Sequence, residues 1–261
     1  MRSALALVTG ASSGIGRAFA ERLAADGHDL IVVGRREERL TALARSLPDV
    51  AVQIVVADLS TDEGIDAVAE LCARSPLKML VNNAGVAHYM PMAELPAEKA
   101  RELVNVKVLA PTLLTRAALA GMIARAEGTL VNVAGMLAFG GPAPKAPPQQ
   151  QRAVYTGTLA VTVAMSQTLH AELEGTGVNV HVVCPGIVAT EFHEVQRMDL
   201  SAIPRMSAED VVSATLSGIE RGEVVSAPGV EDYSLLEAVA SADLAAFHGQ
   251  SPHLASRYTR R

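Results

Sequence analysis

Short runs of consecutive apolar, largely β-branched residues alternate along the first two-thirds of the chain with longer segments whose apolar residues recur every three or four positions. Runs of the first kind suit strands buried on both faces, and segments of the second kind suit the helices that cover them. Strands are expected at Ala4–Val8, Leu30–Gly34, Val52–Ala57, Met79–Asn82, Thr129–Val133 and Asn179–Cys184, with a further short strand near Val224–Ala227. Helices are expected over Gly14–Asp26, Glu37–Ser46, Asp62–Arg74, Glu98–Ala126 and Ala153–Glu174. This alternation is the βαβ signature of an α/β protein, a single Rossmann-like doubly wound parallel sheet with helices on both faces. Right-handed crossovers then bring the carboxyl ends of the strands, and any ligand, to one edge.

One domain is expected across residues 1–261. The rhythm breaks between Gly140 and Gln151, where four prolines exclude a continuous helix or central strand. This insertion reads as a mobile surface loop or as a lid, since it joins the two segments that carry the candidate chemistry. The tail from Glu231 onward, with His248 and His253, reads as a substrate-side helix or a frayed end.

Composition narrows the function by exclusion. A chain that is 49% hydrophobic and 19% charged has the apolar content for a sheet covered on both faces. A net charge of -6 argues against nucleic acid and against an anionic membrane as partners, so a small-molecule substrate is expected. Cys72 and Cys184 fall in a helix and at a strand end and read as buried, inert thiols without a disulfide. The first apolar run is cut short by Gly10, too soon for a signal peptide or a spanning helix, and a cytoplasmic location follows as the expectation.

The candidate chemistry begins at the first βα junction. Thr9-Gly10-Ala11-Ser12-Ser13-Gly14-Ile15-Gly16 follows a strand and opens a helix, the context in which a glycine-rich loop is a dinucleotide site. Gly10, Gly14 and Gly16 let the backbone turn tightly and approach a pyrophosphate, while Ser12, Ser13 and Ile15 stand where a helix start offers free N–H groups and a positive dipole end. The second strand ends in Arg35-Arg36, where folds that prefer NAD carry an acid. Guanidinium groups there suit a 2′-phosphate, so NADPH is expected over NADH, unless the two arginines are solvated charges at a helix start. Asp58, followed by Leu59, stands where a carboxylate would accept from an adenine amino group, or else caps the helix near Asp62.

From about Ala4 to Phe192 the residues resemble the short-chain dehydrogenase/reductase family. The likeness rests on the T-G-x-x-x-G-I-G loop, Asn82-Asn83-Ala84-Gly85 after the fourth strand, Asn105 in the long helix, Val131-Asn132-Val133 in the fifth strand and Pro185-Gly186-Ile187-Val188-Ala189-Thr190 after the sixth. The resemblance implies a nicotinamide cofactor and a homodimer or homotetramer built on the two long helices. It also implies that Asn83, Ala84 and Gly85 pack against the cofactor, that Asn105 holds a water in a proton relay, and that Thr190 with Pro185, Gly186 and Val188 meets the nicotinamide. Tyr155 maps to the family's proton donor.

Two family positions are changed. Gly135 stands where a serine polarises the substrate carbonyl, and Leu159 stands where a lysine lowers the tyrosine pKa. Without that ammonium, Tyr155 is expected to titrate near its ordinary value of about 10, so reduction is less impaired than oxidation, which needs the phenolate. Replacement groups are sought in Lys145, in Arg152 one turn before Tyr155, and in His88 and His193, each of which is otherwise a solvent-facing residue. His28, His170 and His181 carry no functional case, and no metal site is read. Met136-Leu137-Ala138-Phe139 and Tyr89-Met90 suit an apolar pocket wall or ordinary packing. The expectation is an NADP(H)-dependent oxidoreductase with a non-standard site centred on Tyr155 and Asn105, reducing a specialised carbonyl or imine. The alternatives are a redox-inactive cofactor-binding protein or sensor, and a non-redox cyclase or dehydratase on the same fold.

Overall fold

The computed structural model describes residues 4–141, 152–195, 200 and 202–259. Seven parallel strands form one sheet in the order β3-β2-β1-β4-β5-β6-β7. They are β1 (Leu5–Thr9), β2 (Asp29–Gly34), β3 (Val52–Val56), β4 (Leu77–Asn82), β5 (Gly128–Val133), β6 (Val178–Val183) and β7 (Val225–Ser226). The order reverses between β1 and β4, the switch point at which such sheets open a crevice beyond the strands' carboxyl ends. The fold is the doubly wound α/β sheet that the hydrophobic pattern implies.

The pleat sorts the core into two halves. Ala6 and Val8 of β1 pack with Phe19 and Leu23 of helix α1 (Gly14–Ala25) on one face, while Leu7 packs on the other with Ile65 and Val68 of α3 (Asp62–Arg74). All of these side chains are essentially buried. Each large one contributes about 1.5–3 kcal/mol relative to exposure, which outweighs the weak local propensity of such short strands. Helix α2 (Glu37–Arg45) carries two acids in its first turn and Arg45 in its last, matching its dipole.

The long helix expected at Glu98–Ala126 is not uniform. Helix α4 (Ala97–Val104) passes into a π-turn at Asn105–Leu109 and continues as α5 (Ala110–Ala124). Pro111 lies one residue into α5 and has no N–H for the carbonyl of Lys107, so the ladder widens just before it and the Ala110 N–H reaches back to the Asn105 carbonyl. This local break rotates the side chains of residues 105–109 relative to the helix on either side.

Helix α6 (Ala153–Glu172) buries Tyr155, Thr158, Leu159, Thr162, Val163 and Ser166, one helical stripe in which four of six residues carry a hydroxyl. The hydroxyls of Thr158, Thr162 and Ser166 donate to carbonyls three or four residues back, which satisfies their protons within the helix. Asn132 of β5 donates to Ser166 Oγ at 2.9 Å, and Asn82 of β4 donates to Asn132 Oδ1 at 3.0 Å, tying α6 to the sheet at the crevice.

After β6 comes the short turn α7 (Phe192–Val195) and then α8 (Ala208–Glu220), a helix that the hydrophobic pattern does not announce. Its buried face is made of Ala208, Val211, Val212, Thr215 and Gly218, too small and mixed to stand out as an apolar stripe. Its start is nevertheless written in the chain, since Ser207 accepts from the Asp210 N–H at 2.9 Å and Glu209 and Asp210 fill the first turn. Small residues are required there because a Cβ on Gly218 would lie 2.8 Å from the His181 ring. By its internal contacts the chain divides into two compact units, Met1–Gly229 and Val230–Arg261. The second unit carries helix α9 (Ser234–His248), none of whose residues is buried.

His181 of β6 is a structural residue. Its Nδ1 donates to the Glu223 carbonyl at 2.7 Å, so Nε2 of the neutral ring accepts from the Ser226 hydroxyl at 2.8 Å. Burial lowers its pKa below the ordinary value of about 6.5, against the opposing pull of the Glu223 carbonyl. The unfolded chain therefore takes up a proton that the folded chain resists, and stability present above that ordinary value is lost as pH falls below it. In urea titrations His181→Gln is expected to lower stability by about 1–3 kcal/mol above neutrality and to flatten the loss between neutral and mildly acid pH.

Candidate active site

The glycine loop and the turn after β4 are interlocked. The Thr9 hydroxyl accepts from the N–H groups of Asn83 and Ala84, each at 3.0 Å, and donates to the Val81 carbonyl at 3.2 Å. Asn83 Nδ2 donates to the Thr9 carbonyl at 2.9 Å. Gly10 and Gly14 have φ of 68° and 54°, the left-handed region that favours glycine. A Cβ on Gly16 would stand 2.4 Å from the Gly10 carbonyl oxygen, so that residue allows α1 to pack under its own loop and does not itself line the crevice. Gly10, Ser12, Ser13, Gly14 and Ile15 do line it. Ser13 is the N-cap of α1 but makes no side-chain cap hydrogen bond, which leaves first-turn N–H groups for an anionic ligand.

The two arginines after β2 have different partners. Arg35 is half exposed, with Nη1 3.8 Å from Asp58 and 3.9 Å from Glu102. Arg36 donates to Ser12 Oγ and, at 2.7 Å, to Ser13 Oγ, and it forms a close ion pair with Glu191. Glu191 also pairs with Arg39 at 2.5 Å. Burial alone would raise the Glu191 carboxyl, but hydrogen bonds from Arg39, Arg36 and Ser13 hold it at about 2. Asp58 likewise sits below the usual carboxylate range, because bonds from Ser60 and the Arg35 charge outweigh its burial. Asp58 lines the crevice with Leu59 and does not cap α3, whose cap is Thr61, accepting from the Gly64 N–H at 3.1 Å.

At the far end stands Tyr155, 7% exposed and edge-on to Tyr89, with ring centroids 5.1 Å apart. Burial, reinforced by the charge and hydrogen bond of Tyr89, raises the Tyr155 pKa well above 10, and Arg152 only partly offsets this. The sequence expectation of an ordinary value near 10 is thus corrected upward. Arg152 does face the site, its guanidinium 4.8 Å from the Tyr89 ring centre. His88 and His193 both line the crevice; His88 is 2.9 Å from Glu102 Oε2, whereas His193 Nδ1 is buried without a partner. Lys145 lies outside the described residues.

The structure does not bring Asn105 to the crevice. Its amide donates to the Ser60 carbonyl at 2.8 Å, and it is Val106 and Lys107 of the π-turn that line the crevice. Lys107 was not singled out from sequence, nor was Glu191. The signal for Lys107 is a single charge inside Val104–Pro111, a stretch of helix that is otherwise apolar except for Asn105. For Glu191 the signal is weaker, an acid beside the ligand-facing Thr190.

Gly135 and Leu159 are neighbours. A Cβ on Gly135 would lie 3.4 Å from Leu159 Cδ1, so the leucine side chain lies against the space where a serine side chain would begin. Together these residues bound a cavity of about 950 Å³ that runs from Arg35 and Arg36, past Asn83, Ala84, Gly85, Pro185, Gly186, Val188 and Thr190, to Tyr155. Met136, Leu137, Phe192, Leu200 and Ile203 add apolar side chains to its lining. Among the described residues no cluster of His, Cys, Asp and Glu could hold a metal ion.

A phosphate-ready loop beside a buried tyrosine, in one crevice at a sheet's switch point, defines a dinucleotide-dependent class of protein. The sequence matches the short chain dehydrogenase family over residues 4–200. It is 29% identical over 224 residues to a very-long-chain 3-oxoacyl-CoA reductase of Mus musculus, covering 82% of this chain and 68% of that protein. A reductase of the same name from Pyrenophora tritici-repentis is 31% identical over 231 residues, covering 84% of this chain and 64% of the relative. The chain thus spans about two-thirds of the length of these relatives. Among solved structures, a short-chain dehydrogenase from Sphingobium yanoikuyae in complex with NADPH matches with a TM-score of 0.91 at 31% identity, covering 98% of this chain and all of that one. A bulky-bulky ketone specific alcohol dehydrogenase from Comamonas testosteroni matches with a TM-score of 0.88 at 28% identity, covering both chains fully. The chain belongs to the short-chain dehydrogenase family, and it is an oxidoreductase of that family.

Gly135 has φ of 165°, extended backbone open to any residue, and its nearest neighbour would be at ordinary contact distance. Gly135→Ser is therefore expected to fold and to melt within about 1 kcal/mol of the parent, the usual range for a small change that meets no clash. A cooperative thermal melt shifted far downward would show that the site cannot accept the hydroxyl.

Proposed function

We propose that this protein reduces a ketone flanked by bulky apolar groups, using NADPH, with Tyr155 as the proton donor. The observation that carries the reading is the continuity of the 950 Å³ cavity, which joins an arginine-flanked phosphate loop to a buried phenol beneath an apolar wall. Met136, Leu137, Phe192, Leu200 and Ile203 line it along with Tyr155, which suits hydrocarbon groups on the substrate. The ketone-specific Comamonas enzyme and the NADPH-bound Sphingobium enzyme support the same reading by their likeness.

The residues fit a nicotinamide dinucleotide. N–H groups of the Ser12–Ile15 loop would hold its pyrophosphate, Arg35 and Arg36 its 2′-phosphate, Asp58 its adenine, and the Asn83–Gly85 turn with Pro185, Gly186, Val188 and Thr190 its nicotinamide half. When bound, it supplies the hydride. Tyr155 gives its proton to the carbonyl oxygen as that oxygen gains charge. Its raised pKa keeps it a neutral donor throughout the physiological range, which favours reduction and leaves alcohol oxidation without a base. Gly135 contributes no second hydroxyl, and the Tyr89 phenol, hydrogen-bonded to Tyr155, is the nearest group able to do so. Closing such a cavity over an apolar substrate excludes water and strengthens the remaining donors.

The loss of serine and lysine from the family positions favours a second reading, a cofactor-binding protein without turnover. Consumption of NADPH in step with alcohol product separates the two. Association into a homodimer or homotetramer, with α6 among its contacts, belongs to the same proposal; Val161 of α6 is an exposed apolar residue that such a contact would cover.

The direct test is a fluorescence titration with NADPH and NADH, which the absence of tryptophan leaves free of that residue's emission. NADPH is expected to bind at least about tenfold tighter, and replacing Arg35 and Arg36 together by alanine is expected to weaken it by about ten- to a hundredfold while NADH changes little. With valerophenone as substrate, Tyr155→Phe is expected to lower kcat by about 10²-fold or more. Equal affinity for both cofactors, or a Tyr155→Phe variant as fast as the parent, would overturn the assignment.

A further inference from the structure

Lys107 is a charged residue without a charged partner in the middle of an apolar helix. It is 8% exposed, and none of the hydrogen bonds or ion pairs found among the described residues involves it. Its Nζ lies 5.7 Å from the centre of the Tyr155 ring, within the range of cation–π attraction. On its other side, a Cβ on Gly85 would stand 3.1 Å from Nζ, so the ammonium occupies space that only a glycine leaves open. Lys107 also lines a second cavity of about 10 Å³, the size of a single water, together with Asn82, whose buried Oδ1 has no donor. Burying a cation with so little compensation costs stability, and such costs persist where they serve the chemistry.

Resting on the reading of Tyr155 as the acid, we propose that Lys107 does the work of the lysine missing at Leu159: reaching Tyr155 from the α4–α5 π-turn instead of from α6, it stabilises the phenolate left after proton transfer and restores its proton. In the balanced step the hydride adds to the carbonyl carbon and the Tyr155 proton to its oxygen. The Lys107 ammonium then passes a proton to the phenolate oxygen, directly or through a water, and solvent recharges the amine. The direction is downhill, because burial lowers Lys107 to about 8 while Tyr155 lies well above 10. Lys107 therefore acts through Tyr155 as a positioning and proton-supplying residue. The π-turn has a role in this arrangement, since it places Lys107 where a regular helix would place a different residue.

The other ionisable groups that line the cavity are Tyr155 and Arg152 at the start of α6, His88 and Tyr89 after β4, Lys99 and Glu102 on α4, Glu191 and His193 after β6, and Arg35, Arg36 and Asp58 beside the phosphate loop. Burial raises Tyr89, burial with Arg205 and Arg152 lowers His193, and burial of Glu102 is outweighed by His88 and Lys99, which lower it. These three move away from the region of pH 8, where Lys107 alone is brought by its surroundings.

The test uses the full chain and three variants, Lys107→Met, Lys107→Arg and Tyr155→Phe, with NADPH and valerophenone. For the parent, kcat is expected to fall as pH rises through about 8, because the ammonium is lost. In Lys107→Met that limb should vanish and kcat should drop by about 10²-fold, with KM and NADPH affinity within about threefold. Lys107→Arg should recover part of the rate and move the limb to higher pH. Lys107→Met should also melt no lower than the parent, since it removes a buried charge, whereas a merely structural lysine would lower the melt. Independently of turnover, isotope labelling at lysine Cε should show one of the four lysines titrating near pH 8, absent from Lys107→Met. The proposal is overturned if no lysine titrates there, or if Lys107→Met keeps both rate and limb while Tyr155→Phe loses activity. If Tyr155→Phe also keeps full rate, the assignment of the acid falls with it.

Discussion

Everything at the active edge depends on how closely the turn after β1 approaches the turn after β4. At a switch point the two loops diverge to opposite faces of the sheet, and nothing in the ladder of backbone hydrogen bonds holds them together. Here the Thr9 hydroxyl performs that task, accepting from two successive N–H groups and donating to a carbonyl. The contact leaves no room for side chains, as a Cβ on Gly10 would come within 2.9 Å of the Ala84 backbone. The phosphate loop and the Asn83–Gly85 turn are therefore one rigid piece, and the cavity floor is set before any ligand arrives.

A second rigid piece holds Tyr155. Helix α6 has an unusually polar buried face, and hydrophobic burial alone would leave its rotation about its own axis weakly specified. The chain of Asn82, Asn132 and Ser166 supplies direction, because each hydrogen bond is met in only one register of α6 against β5. The same register that satisfies Ser166 turns Tyr155 toward Tyr89 and Leu159 toward Gly135. The apolar pair Gly135–Leu159 is thus a consistent replacement in which each residue fits the other.

Charge is distributed unevenly along the cavity. At the phosphate-loop end Glu191 pairs with both Arg36 and Arg39 and offsets one of their two charges, while Arg35 is only loosely held. Glu191 leads into the segment that carries Phe192, Leu200 and Ile203, so the anion clamp and the apolar wall share a stretch of chain. At the tyrosine end Lys107 and Arg152 face two neutral phenols. A site with cations near its acid and a carboxylate near its phosphate loop is poised to be completed electrostatically by an anionic cofactor.

The strands, most of the helices and the phosphate loop were legible in the chain because they rest on local patterns: alternation of burial along a strand, a stripe along a helix, glycines at a βα turn. Helix α8 was missed because the small residues of its buried face hide the stripe, although Ser207 and its two acids are a local start signal. The fate of Asn105 and Lys107 could not be read so, since a one-residue widening of a helix, prompted by Pro111, changes which side chains point into the cavity. Nor could the pairing of Arg36 with Glu191, 155 positions away, be deduced, for it joins the segments after β2 and β6, two strands that are not neighbours in the sheet. Sequence periodicity fixes the face of an element on which a residue lies, because that depends on neighbours a few positions away. Which charge meets which, and what a buried phenol titrates like, depends on distances set by the packing of the whole sheet.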